Sequence, residues 1–199
     1  MRKALALLAV LGMTAGFFAA NAAADKEAGL NATCPVSGKP AVKEHAAKFK
    51  GKSVYFCCPN CPKAYKADRK KFTNAVYTQL LETDQITQVA CPLAGKPFDE
   101  TKTVALGKTT VAFCCGNCQG KAKDSDDVAR LAFANFDKGF TLQTKCPVSG
   151  KPIAIDNKVS HDGKNVYFCC PNCPSAFKAD PAKFVAKLPQ FQTGKKAKK

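Results

Sequence analysis

Tryptophan is absent from the 199 residues, and histidine and methionine occur twice each. Acid is also scarce, with 15 Asp and Glu against 31 Lys and Arg, a net charge of +16. No nucleophile–base pair, paired carboxylates or phosphate-cradling glycine loop stands at a persuasive spacing, so the chain is not expected to be an enzyme. Lysine heavily outnumbers arginine and no aromatic-basic recognition motif is present, so no nucleic-acid partner is expected. The two histidines hold no common place. His45 falls where Asn157 stands in the repeat described below, and His161 where Phe49 stands, so both read as surface or packed side chains rather than ligands.

Long apolar runs are missing too, except at the start. Arg2 and Lys3 precede an apolar stretch over residues 4–20, and Ala22-Ala23-Ala24 offers small residues for cleavage before Asp25. This order is that of a secretory signal peptide, and no later stretch has the length of a membrane span. The expectation is a periplasmic or secreted protein. Without residues 1–24 the chain keeps 29 basic and 15 acidic residues, a net +14. Much of the excess lies at residues 63–71 and 195–199. Such a surface suits either plain solvation or attraction to an anionic cell-envelope polymer.

Cysteine, by contrast, is abundant: twelve residues, all inside a threefold repeat. The string Val54-Tyr55-Phe56-Cys57-Cys58-Pro59-Asn60-Cys61-Pro62 returns as Val166-Tyr167-Phe168-Cys169-Cys170-Pro171-Asn172-Cys173-Pro174. A worn copy, Val111-Ala112-Phe113-Cys114-Cys115-Gly116-Asn117-Cys118, lies between them. Ahead of each pair, separated by 22 residues, stands a further cysteine opening a Cys-Pro-x-x-Gly-Lys-Pro segment, at Cys34, Cys91 and Cys146. The starts lie 57 and 55 residues apart, which marks an array of small modules. The reading divides the chain into a leader at 1–24, repeats at 25–84, 85–139 (degenerate) and 140–192, and a disordered basic tail at 193–199. Units of this size need staples: disulfides, a metal, or packing against neighbours.

Within a module, Ser37-Gly38-Lys39 and Gly51-Lys52 predict turns and residues 53–57 a short strand. Residues 41–49 show little pattern. A helix is predicted next, with Asn60 as its cap, Pro62 in its first turn, and Ala64, Tyr65, Phe72 and Val76 on its buried side. Asp180-Pro181 predicts the cap and first position of a further helix. The connectors at 73–90 and 124–145 each carry a helical apolar pattern and end in a strand-like run, at 85–90 and 140–145. They are not flexible linkers, so neighbouring modules should pack on one another. Tyr55-Phe56 and Tyr167-Phe168 read as core around the cysteines.

Three or four thiols at one helix start would repel as thiolates unless a cation, protons or oxidation relieved them. Cys57 with Cys61, or Cys58 with Cys61, could chelate one ion, and the soft donor set suits Zn(II) or Cu(I). Adjacent Cys57 and Cys58 point in different directions, so one of them is the weaker ligand. Two disulfides per module are the rival in an exported protein, giving a stapled interaction protein with a basic surface. A Cys-Pro-x-Cys redox element at Cys58–Cys61 and Cys170–Cys173 is a third reading, against which stands the missing βαβ pattern.

The cysteine framework, with Val-Tyr-Phe-Cys ahead of its last cysteine, resembles the TRASH/YHS group of small metal-binding modules. Gly163-Lys164-Asn165-Val166-Tyr167-Phe168-Cys169 and Phe177-Lys178-Ala179-Asp180-Pro181-Ala182-Lys183-Phe184 are similar to segments of that signature. The resemblance implies a small cysteine-rich α+β fold, three treble-clef or zinc-ribbon-like modules of β-hairpin plus helix. It also implies work in heavy-metal trafficking, sensing or resistance. Carried over, the ligands are Cys34, Cys57 and Cys61; Cys91, Cys114 and Cys118; and Cys146, Cys169 and Cys173. Two departures stand out. The second cysteine of the opening segment is replaced by Ser37, Ala94 or Ser149, and an extra one at Cys58, Cys115 or Cys170 could supply a fourth ligand. Four thiolates would close the site; three would leave a position open.

Overall fold

The computed structural model describes residues 30–124 and 127–192. The expected leader and basic tail lie outside the described residues. What is described is a small mixed α/β chain of short hairpins and helices, and its three repeats fold alike.

Each repeat opens on a knuckle. Cys34 N–H donates to the Lys39 carbonyl (2.7 Å) and Gly38 N–H to the Cys34 carbonyl (2.9 Å), and Cys91 and Cys146 head the same pair of bonds. Closing so tight a loop needs a left-handed residue, and Gly38, Gly95 and Gly150 supply it at φ +72, +69 and +74.

A two-stranded antiparallel hairpin follows. These are β1 (Val42–Phe49) with β2 (Lys52–Phe56) in the first repeat, and β4 (Asp99–Leu106) with β5 (Thr109–Phe113) in the second. The third repeat has β7 (Ala154–His161) with β8 (Lys164–Phe168). All three carry a register shift at the same place, between Val42 and Ala46, Asp99 and Thr103, and Ala154 and Lys158. The expected turn and second strand are there. The first strand completes the hairpin that the family resemblance implies, although its own residues gave little pattern, because β1 buries little and its side chains run Lys43-Glu44-His45 without alternation.

The second strand of each hairpin leads into the cysteine pair and a short helix: α1 (Asn60–Ala67), α3 (Gly116–Lys123) and α6 (Cys173–Ala179). The cap expected at Asn60 is not formed. Pro59 occupies that position and no side chain caps the helix. The predicted long helix is also two, since the chain turns at Asp68, whose Oδ1 accepts from Lys71 N–H (3.1 Å), before α2 (Thr73–Glu82) begins. Tyr65 and Val76 are buried as expected, whereas Ala64 is exposed. In the third repeat Asp180 Oδ1 accepts from Lys183 N–H (3.3 Å) and α7 (Ala182–Val185) follows, one residue past the predicted start.

The connectors bind the first two modules together. The strand-like runs shorten to β3 (Thr87–Gln88) and β6 (Phe140–Thr141), which pair with each other. Between them lie α4 (Val128–Phe133) and α5 (Phe136–Gly139). Tyr77 of α2 stacks on Phe136 at 4.3 Å and meets Phe49 edge-on at 5.4 Å, with Phe133 and Phe140 continuing the aromatic file. Gly139 packs on Pro92 so closely that a methyl there would stand 2.7 Å from the Pro92 Cα. One core therefore joins repeats one and two, from Ala32 to Leu142. The third repeat has a core of its own around Phe168, Phe177, Phe184 and Leu188, closed by α8 (Pro189–Gln192). No described helix is long and apolar enough to cross a membrane.

Candidate metal centres

The knuckle delivers one cysteine and the strand-to-helix junction delivers the others. In each repeat three sulfurs lie within 4.8 Å of one another: Cys34, Cys57 and Cys61; Cys91, Cys114 and Cys118; Cys146, Cys169 and Cys173. The resemblance implied these same triads. Sγ–Sγ separations are 3.7 Å for Cys57–Cys61, Cys114–Cys118 and Cys169–Cys173. Four thiolates around one Zn(II) at about 2.3 Å would stand about 3.8 Å apart. A disulfide needs about 2.05 Å, and all twelve cysteines are free thiols.

The vicinal cysteines stand outside the mutual triads, as their adjacency suggested. Cys58 Sγ lies 3.5 Å from Cys61 and Cys170 Sγ 3.5 Å from Cys173, while Cys115 Sγ approaches Cys114 at 3.8 Å. Among the described residues neither His45 nor His161 joins a metal-ligand cluster; His161 packs edge-on against Phe177 and Phe191. A cavity of about 890 Å³ between His161, Pro181, Val185 and Phe191 has no cysteine in its lining.

The surroundings split the thiols into unequal acids. Burial pushes the Cys34 thiol up, but the Ser37 hydroxyl and the backbone N–H groups of Cys57, Ser37 and Val36 outweigh it, drawing Cys34 down to about 7. Burial acts likewise on Cys146. There the Ser149 hydroxyl and the N–H groups of Ser149, Cys169 and Val148 prevail, and it falls to about 6. Cys91 is also lowered against burial, by N–H groups of Cys114, Ala94 and Leu93. At the other end burial, then the crowd of neighbouring thiols, pushes Cys61, Cys118 and Cys173 up to about 12. Within each triad the knuckle cysteine is thus the stronger acid and the helix cysteine the weaker one.

The chain matches no family model, curated protein or solved structure. Its site therefore rests on its own geometry.

That geometry depends on residues that the repeat pattern did not bring forward. Gln143 accepts from Tyr167 N–H (3.0 Å) and donates to the carbonyls of Tyr167 (2.5 Å) and Lys145 (3.0 Å). Its amide imitates a strand peptide, satisfying the open edge of β8 and tying it to the segment that carries Cys146. Gln88 makes the same three bonds, to Ala112 N–H, Ala112 O and Ala90 O. In repeat one the equivalent position is Asn31, one methylene shorter and exposed. Gln79 reaches in from α2 instead, bonding Tyr55 N–H, Tyr55 O and Thr33 O at 2.8, 2.6 and 2.8 Å. Gln88 and Gln143 each stand three residues before a knuckle cysteine, a signal the sequence did hold. Nothing in the repeat pointed to Gln79. Ser37 and Ser149 were likewise noted for what they replace; their hydroxyls share hydrogen bonds of 3.1 Å with Cys57 and Cys169.

Proposed function

We propose that this protein binds soft metal ions, Zn(II) or Cu(I), one per cysteine triad. We further propose that it is an exported protein of heavy-metal trafficking, sensing or resistance with modules of TRASH/YHS type. It acts as a binding protein rather than an enzyme. The observation that carries the reading is the triad itself: three sulfurs gathered within 4.8 Å, three times over, by the same knuckle and hairpin. The donors fit the ion class, since thiolates select soft cations and their separations approach a tetrahedral edge. Cys34, Cys57 and Cys61 and their counterparts would hold the ions, with Cys58, Cys115 and Cys170 at hand as further thiolates.

The test is a native mass spectrum of the chain purified anaerobically from its exported fraction. Added mass equal to three ions, shed on acidification to leave twelve free thiols, is the expected result. A metal-free protein lighter by two hydrogens per cysteine pair would overturn it and favour the disulfide-stapled alternative.

A further inference from the structure

The three clusters differ at their rims. In the outer repeats Cys58 and Cys170 fold back to 3.5 Å from Cys61 and Cys173, close enough to share an ion with them. Ser37 and Ser149 hydroxyls add a hydrogen bond to the strand-end sulfur at 3.1 Å. Cys61 and Cys173 are buried, 7% and 8% exposed.

The middle repeat departs at several of these points. Ala94 has no hydroxyl to offer. Cys115 is exposed, its sulfur 3.8 Å from Cys114 and also in reach of the Cys118 thiol. Cys118 is only half-buried. Gly116 stands where the outer repeats have Pro59 and Pro171, and Gly120 lies in the helix beyond it. Two glycines leave this backbone freer to open than the proline-bounded junctions on either side.

We propose that the middle cluster is the exchange site, binding its ion through Cys91, Cys114 and Cys118 and leaving the fourth position to a thiol from outside. The outer clusters, closed by Cys58 and Cys170, retain theirs. In the exchange a sulfur–metal bond forms to the incoming thiol and one to a protein cysteine breaks. The proton of the first passes to the second, so neither oxidant nor reductant is needed. This inference rests on the metal-binding reading above.

The experiment loads the full chain with Zn(II), counts the bound ions, and follows their release to a chromophoric chelator at rising glutathione concentration. One equivalent of three should leave about tenfold or more faster than the others, at a rate that climbs with glutathione, because an open position admits a ligand that a closed one does not. Cys114→Ser should abolish that phase and leave two slow equivalents. Ala94→Ser combined with Gly116→Pro, which rebuilds the outer pattern, should slow it. Release of all three equivalents in a single phase, or a fast phase surviving in Cys114→Ser, would overturn the proposal. If no Zn(II) is taken up at all, the metal-binding reading itself has failed, and the count made before the chelator is added separates the two cases.

Discussion

Tyr65 lies fully buried against Phe56, and its hydroxyl has no hydrogen-bond partner among the described residues. Burial pushes its phenol pKa up, against the pull of nearby Arg69. The third repeat has Phe177 at the equivalent place. A buried hydroxyl without a partner costs about 1–3 kcal/mol, so Tyr65→Phe should leave stability unchanged or raise it by about 1 kcal/mol. A urea midpoint that fell would mean the hydroxyl is used. The thiols give a pH signature at the same scale. Cys146, lowered to about 6, stabilises the metal-free fold above the unfolded thiol value, and that contribution is lost as pH falls through about 6. Cys173, raised to about 12, contributes fully below the unfolded value and loses its share as pH rises through about 12. These two contributions together should make metal-free repeat three most stable near the free-thiol pKa, about 8.5. Urea midpoints in chelator and reductant across that range would check it. Metal binding must strip the remaining protons, so affinity should rise with pH throughout.

At the scale of the element, each hairpin is incomplete without its glutamine. Strands β2, β5 and β8 have one edge paired and the other closed by an amide side chain rather than a third strand. In repeat one Gln85 extends the arrangement, bonding Ser53 N–H and Ser53 O at 2.8 and 2.7 Å. Gln143→Leu keeps the volume roughly but abandons the buried Tyr167 N–H and carbonyl and the part-buried Lys145 carbonyl. It should cost about 3 kcal/mol and weaken ion binding in repeat three alone, as read by thermal melts and by metal stoichiometry. Gln79→Leu should do the same in repeat one. Unchanged melts would show that water serves those strand edges instead. A sharper element-level test is Gly139→Ala, whose methyl would collide with the Pro92 backbone beside Cys91. It should lower stability by about 1–3 kcal/mol through overpacking and disturb only the middle cluster.

At the scale of the whole molecule, the described residues form two cores, not three. Repeats one and two fold over a common aromatic file, while repeat three buries its own smaller set. Phe140 and Leu142 belong to the first core and Cys146 to the second, so the chain passes between them at residues 143–145. Calorimetry of the metal-free chain should accordingly show two transitions. Phe136→Ala should lower one of them, at a cost of about 3 kcal/mol, and leave the other in place. A single shared transition, displaced as a unit, would show that the cores are coupled through the segment at residues 143–145.

The repeat was legible from the residues alone, and with it the cysteine groups, the knuckle turns and the strand before each cysteine pair. These are local: a glycine at a left-handed position, a β-branched and aromatic run, and cysteines held at fixed spacing all act over a few bonds. Even the turn at Asp180 was legible, because the bond it makes reaches only to Lys183, although Pro181 takes the cap position of α7. Tertiary structure decided the rest. Whether Cys57 or Cys58 joins the triad depends on how a strand end meets a helix start. Residues 42–49 become a strand because β2 lies beside them. Gln79, sitting 24 residues from the strand it completes, takes over from Asn31 because α2 folds across the hairpin. The joining of repeats one and two over Tyr77, Phe133 and Phe136 is likewise a matter of which apolar faces meet. Spacing along a chain fixes which thiols can be neighbours; packing at a distance fixes which of them are.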